Sequence, residues 1–217
     1  MRTMPSSQAI TIPVVIDVIK RLKPTAILDV GVGFGKWGHL FREYTDIKAS
    51  EHDPARYNRG NWTVRIDGID AYPAYVTDMH HYLYNAIHIG PVESVLPTLG
   101  EYDVVFFGDV IEHMDKSSGM RVLATALEHA SKAVILTTPK YDSGQEELCG
   151  NPFERHRSLW TAAEFLGFSG ARVATVYGSQ LVAVIPAKGT KAPRVRVRRK
   201  GPWRRLWKRF RRKERIG

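Results

Sequence analysis

Cysteine is almost absent from this chain: Cys149 is the one thiol in 217 residues. That excludes an internal disulfide framework and fits a reducing compartment, so the cytoplasm is the expected location. No apolar run reaches the ~20 residues that a membrane-spanning helix needs. The apolar stretch near the N-terminus is interrupted by Pro13 and Asp17 and is read as neither signal peptide nor membrane span. No internal repeat is seen. Acidic residues are missing from one end only. Residues 188–217 hold 15 of the 32 Lys and Arg residues and one acid, Glu214, a net +14. The first 187 residues are left with 17 bases against 21 acids, so the overall net charge of +10 describes neither part.

What is present is enough for one globular domain with a full core. Hydrophobic content is 43% and charged content 25%, both ordinary for a soluble domain. The expected division is a domain over 1–187 and a basic tail over 188–217. Residues 7–23 carry Ile10, Val14, Val15, Val18, Ile19 and Leu22 at helical spacing, and Pro24 ends the helix. Residues 26–30 then read as a buried strand that breaks into Gly31, Gly33 and Gly35. Alternate glycines at a strand-to-helix turn let backbone approach a ligand closely or take positive φ, and the exposed N–H groups of a helix start suit polar or anionic groups. The dinucleotide fingerprint G-x-G-x-x-G would need glycine at Lys36, which disfavours a nicotinamide-dependent oxidoreductase.

Further along, 64–70 reads as a strand ending in Asp70, preferred over Glu51 or Asp53 as the acid that would hold a ribose. This leaves 45–63 as a long polar insertion, either a lid or substrate-recognition loop or a passive surface loop. A strand and turn are expected over 86–97, strands near 102–108 and 133–138, helices over 117–130 and from Thr161, and an antiparallel pair over 171–177 and 181–185. The order of elements predicts an α/β, Rossmann-like, doubly wound, mostly parallel sheet of seven strands closed by an antiparallel hairpin. Asp29, Gly31, Asp70 and Asp109 then fall at carboxyl ends of strands, where open α/β sheets bind ligands.

Asp29-Val30-Gly31-Val32-Gly33-Phe34-Gly35 resembles motif I of the class I S-adenosylmethionine-dependent methyltransferases. The resemblance covers residues 7–186. It implies that Asp29, Gly31, Gly33, Phe34, Gly35, Asp70 and Asp109 border the cofactor. Where that family often carries Gly-Asp beside the adenine, this chain has Gly90-Pro91, which leaves Val92 and Glu93 to flank it. Asp109-x-x-Glu112-His113, with His156-x-x-x-Trp160-Thr161, is similar to motifs of two groups of O-methyltransferases, those of ubiquinone biosynthesis and those that methylate the 3′-terminal 2′-hydroxyl of small RNAs. The resemblance implies a divalent cation, Mg²⁺ or Mn²⁺, held by Glu112, His113 and His156 with Asp109 as a fourth candidate, gathering the acceptor's hydroxyls. Two other readings stand beside it: His113 or His156 as a metal-free base, with Glu112 beside the cofactor, or purely structural histidines. His39, His52, His80, His81, His88 and His129 are expected in surface or packing roles, Glu146 and Glu147 in solvent, and Cys149 as an unreactive loop thiol.

The expected function is methyl transfer to a hydroxyl of a glycan, lipid-linked or other small-molecule acceptor. The alternatives are an RNA 2′-hydroxyl or a non-catalytic binding module. In the tail, Trp203, Leu206, Trp207 and Phe210 form one apolar stripe on a cationic helix. That composition suits an anionic membrane surface, while nucleic acid or a disordered tail are the other readings.

Overall fold

The computed structural model describes residues 7–48, 53–141, 144–148 and 150–197. Glu51, His52, Cys149 and the apolar stripe at 203–210 lie outside the described residues. Seven strands form one sheet: β1 Ala26–Val30, β2 Arg65–Asp70, β3 Ala86–Ile89, β4 Tyr102–Gly108, β5 Ala130–Pro139, β6 Arg172–Val176 and β7 Gln180–Pro186. Their order across the sheet is β3-β2-β1-β4-β5-β7-β6. The first five are parallel, and β7 inserts antiparallel between β5 and β6. The expected doubly wound sheet with its closing hairpin is therefore the one observed. The chain reverses direction across the sheet between β1 and β4, and such a switch point opens a crevice at the carboxyl ends.

Side chains alternate across each strand, and the two faces carry separate cores. Ile27, Ile66, Phe106 and Ile135 pack on one face with α1 (Ile12–Leu22), α2 (Lys36–Arg42) and α3 (Asp78–Leu83). Leu28, Val30, Phe107 and Leu136 pack on the other with α4 (Val92–Val95), α5 (Lys116–Glu128) and α6 (Ala162–Leu166). The central strand β4 presents Val104, Val105, Phe106 and Phe107 with no solvent exposure, as a strand covered on both faces requires.

Two expectations change. The first helix is shorter than 7–23: Pro13 sits in its first turn, and Lys23 ends it in the left-handed region at φ 46°. Residues 7–11 turn away toward the carboxyl ends of the strands, where Ser7 Oγ donates to Gly108 O at 2.9 Å. The insertion also lies elsewhere than a lid would. Because α2 runs back from the carboxyl end of β1, the chain leading into β2 emerges at the amino ends of the strands. There Arg42 and Asp46 pair at 2.7 Å, each 2% exposed. Arg42 also donates to the carbonyls of Val64 and Leu83, Asp46 accepts from the Thr63 amide, and Arg42 stacks over Trp62. No residue from 53 to 63 lines the cleft described below.

The boundary at 187 is also not a break in packing. Thr190 Oγ1 donates to Lys132 O, and Ala192, Val195 and Val197 pack against the core on the α1 side. Among the described residues no helix is long and apolar enough to cross a membrane.

Candidate active site

A cleft of about 800 Å³ runs along the carboxyl ends of β2, β1, β4 and β5 to the start of β7. At one end is the glycine turn. Gly31 takes φ 73°, and a Cβ there would come within 2.4 Å of Val110 Cγ2. Gly33 takes φ 50°, and a Cβ there would meet nothing closer than 4.0 Å, so a side chain at 33 would project into the cleft. The turn is anchored by Asp70 at the end of β2, whose Oδ2 accepts from the Gly33 amide at 2.9 Å and whose Oδ1 accepts from the Tyr72 amide at 2.8 Å. Burial raises the Asp70 carboxyl above its ordinary value. Phe34 is 75% exposed and lines the cleft, as do Val92 and Glu93 beyond β3.

Two of the expected cofactor-contacting residues are placed differently. Asp29 is fully buried and does not line the cleft. Its Oδ2 accepts from Tyr84 Oη at 2.6 Å, and burial pushes its pKa up to about 8. Through Tyr84, whose Oη accepts from the Gly38 amide at 3.1 Å, it is tied to α2. Gly35 opens α2 at φ 82° and faces His80 and Met79, away from the cleft. His80, read from sequence as a packing or surface residue, is 1% exposed. Its Nδ1 accepts from the Thr77 amide at 3.1 Å, so Nε2 carries the proton that it gives to Gly33 O at 2.9 Å.

Midway along the cleft, Glu112, His113 and His156 each offer a ligand atom, all within 4.8 Å of one another. The loop after β4 supplies the first two and the long loop after β5 supplies His156. The two loops are joined because Glu112 O accepts from the Arg157 and Ser158 amides at 2.8 and 3.0 Å. The two imidazole rings lie edge to face, 4.9 Å apart. Glu112 is 1% exposed, and its carboxyl Oε2 accepts from Thr138 Oγ1 at 3.1 Å. Burial, with nearby Asp109 and Glu154, raises its carboxyl well above the ordinary range. Burial and neighbouring His156 bring His113 down to about 4, so it is neutral at pH 7. A buried carboxyl raised above its ordinary range beside two imidazoles is a place where a cation would be welcome. One carboxylate and two neutral imidazoles suit Mn²⁺ or a similar divalent ion.

Asp109 stands outside this group. Its backbone is left-handed at φ 58°, and its Oδ1 accepts from Thr137 Oγ1 at 2.7 Å. Bonds from Ser7 and Gln8 also reach it. The expected fourth ligand is thus turned toward β5 and the N-terminal segment. The sequence reading missed Glu154, which lines the cleft with Tyr75 Oη at 3.0 Å and the Gln145 amide at 3.3 Å from its carboxylate. It missed Gln180 as well. Neither belongs to a recognisable spacing, and the loop fold alone brings Glu154 beside Tyr75.

No family model matches the chain, and neither does any curated protein. Solved structures do. The N-terminal domain of EvdMO1, in the presence of SAH and D-fucose, shares 18% identity over 84% of this chain and 85% of its own, with a TM-score of 0.54. The methyltransferase domain of bacterial CtHen1 shares 17% over 82% and 97%, at 0.52. The 1,6-didemethyltoxoflavin-N1-methyltransferase of Burkholderia thailandensis, with bound 1,6-didemethyltoxoflavin and S-adenosylhomocysteine, shares 16% over 82% and 78%, at 0.55. The fold is the Rossmann-like methyltransferase fold.

Proposed function

We propose that this chain transfers a methyl group from S-adenosylmethionine to a hydroxyl of a neutral small molecule or glycan. The observation that carries this reading is the pairing of two features in one cleft: an open cradle at Gly33 and Asp70, and the Glu112–His113–His156 cluster beyond it. Bound in the cradle, S-adenosylmethionine would supply an electrophilic methyl group. Asp70, with one lone pair of each oxygen already used, offers the rest to a ribose diol. A cation at Glu112, His113 and His156 would lower the pKa of the acceptor hydroxyl and fix its direction. Such a cation would also favour the charged form of Glu112, which burial disfavours. His113, neutral at pH 7, also supports a second reading in which it takes the hydroxyl proton itself.

The acceptor is read as uncharged because of the cleft wall. Asp70, Glu93, Asp109, Glu112, Asp115 and Glu154 line it against Lys36 and Arg157, and Lys36 is engaged by Ser7 O. A phosphodiester chain would meet a predominantly acidic surface, so an RNA 2′-hydroxyl is the weaker choice. The basic segment 188–217 fits attachment to an anionic membrane, which would bring lipid-linked glycans within reach.

The test is transfer of labelled methyl groups to a panel of hexoses, 6-deoxyhexoses and myo-inositol. Activity is expected to fall in excess chelator, to return with Mn²⁺ or Mg²⁺, and to be lost in Glu112→Gln. Full activity in chelator would leave the metal-free base as the surviving mechanism.

A further inference from the structure

Gln180 is the first residue of β7 and lines the cleft. It is 2% exposed, and its Oε1 is buried without a hydrogen-bond partner among the described residues. An unpaired buried acceptor costs about 1–3 kcal/mol, and native proteins keep few of them. Nothing in packing requires an amide here, since leucine would fill a similar volume without that cost.

Its position in the sheet says what it faces. Gln180 pairs with Pro139 and Val182 with Thr137, and residues two apart on a strand share a face. Gln180 is therefore on the face of Thr137, whose hydroxyl holds Asp109. Only β5 separates β7 from β4, the strand that leads into Glu112 and His113. Two strand spacings are roughly 10 Å, a gap that side chains reaching in from both ends narrow to the width of a sugar ring. Asp70, at the cofactor cradle, is on β2, four spacings away, roughly 19 Å. By strand order Gln180 is on the far side of β4 and β5 from the cradle, at the end of the cleft left to an acceptor.

We propose that Gln180 is a specificity-determining residue, its amide oxygen accepting a hydrogen bond from a second hydroxyl of a polyol whose first hydroxyl is methylated at Glu112, His113 and His156. The inference rests on the methyltransferase reading above. A neutral amide acceptor selects a neutral donor, and a site built to bond a hydroxyl discriminates against analogues that lack it.

The experiment uses the full chain with S-adenosylmethionine and Mn²⁺, the same panel of hexoses, 6-deoxyhexoses and myo-inositol, and the variants Gln180→Leu and Gln180→Glu. Calorimetry with S-adenosylhomocysteine is run on all three proteins. Gln180→Leu is expected to raise the KM of the accepted sugar about 10–100-fold, leave S-adenosylhomocysteine affinity within about twofold, and keep or raise the melting temperature. Gln180→Glu, which retains an acceptor oxygen, should recover most of the loss. A higher melting temperature with unchanged KM in Gln180→Leu would overturn the proposal and make the amide a structural orphan. S-adenosylhomocysteine binding without methylation of any panel member would overturn the polyol assignment while leaving the cofactor reading in place. Absence of S-adenosylhomocysteine binding would instead defeat the methyltransferase reading, and the inference with it.

Discussion

The two ends of the sheet are built on opposite terms. At the amino ends, Arg42 and Asp46 are as buried as any side chains in the molecule, yet their polar atoms are met. The guanidinium reaches Asp46, Val64 O, Leu83 O and Asn85 Oδ1, and the carboxylate also accepts from Thr63 and Val64. At the carboxyl ends, Asp29 Oδ1 and Gln180 Oε1 are unpaired, Asp109 is left-handed, and the Glu112 carboxyl accepts from Thr138 Oγ1. Among the described residues, two of the three buried side-chain acceptors without a hydrogen bond lie at the carboxyl ends, where something is to be bound; Asp17 on α1 holds the third, and Lys23 is left-handed at the amino ends. Of the two readings open for the loop at 45–63, a passive one fits its residues 53–63, none of which lines the cleft.

The largest expected effect breaks the saturated end. Arg42→Leu leaves Asp46 buried without its counter-charge and should cost about 3–5 kcal/mol in chemical denaturation, with S-adenosylhomocysteine affinity of the folded fraction unchanged. Next comes the strained end. Gly33→Val should remove S-adenosylhomocysteine binding in calorimetry by filling the cradle, while the left-handed backbone costs only about 1–2 kcal/mol of stability. One substitution thus damages the fold and spares binding, and the other does the reverse. The third effect is in pH dependence. Asp29 has its pKa raised from 3.8 to about 8, so between those values the folded state holds a proton that the unfolded state has released. Its contribution to stability is present below the unfolded value and is lost as pH rises toward 8, by at most about 1.4 kcal/mol per pH unit. Asp29→Asn should flatten the fall of melting temperature between pH 5 and 8. An unchanged slope would mean that Asp29 is ionised in the fold.

Much of the fold could be read before any coordinates because it rests on local patterns. The run from Val104 to Phe107 is apolar on both faces, as a central parallel strand must be. Gly31, Gly33 and Gly35 mark a turn that other residues fill poorly, and Asp70 closes a short alternating strand. The grouping of Glu112, His113 and His156 was suggested by the resemblance of their motifs to those of O-methyltransferases, and the three do lie together. The rest of the site depends on contacts between distant segments with no period. His80 reaches Gly33 O across 47 residues, and Tyr84 reaches Asp29 across 55. Asp109 looked like a ligand by its place in the motif, but Thr137 on the neighbouring strand turns it away. The position of the 45–63 insertion follows from topology: a segment leading from a helix into a parallel strand emerges at the amino ends.

The central claim is that the carboxyl-end cleft holds a methyl donor beside a cation. Calorimetry of the full chain with S-adenosylhomocysteine, and with Mn²⁺ in its presence, tests this most directly. The expected result is one S-adenosylhomocysteine per chain, lost in Gly33→Val, and one Mn²⁺ per chain, lost in Glu112→Gln with S-adenosylhomocysteine binding retained. Binding of NADH and no binding of S-adenosylhomocysteine would contradict it.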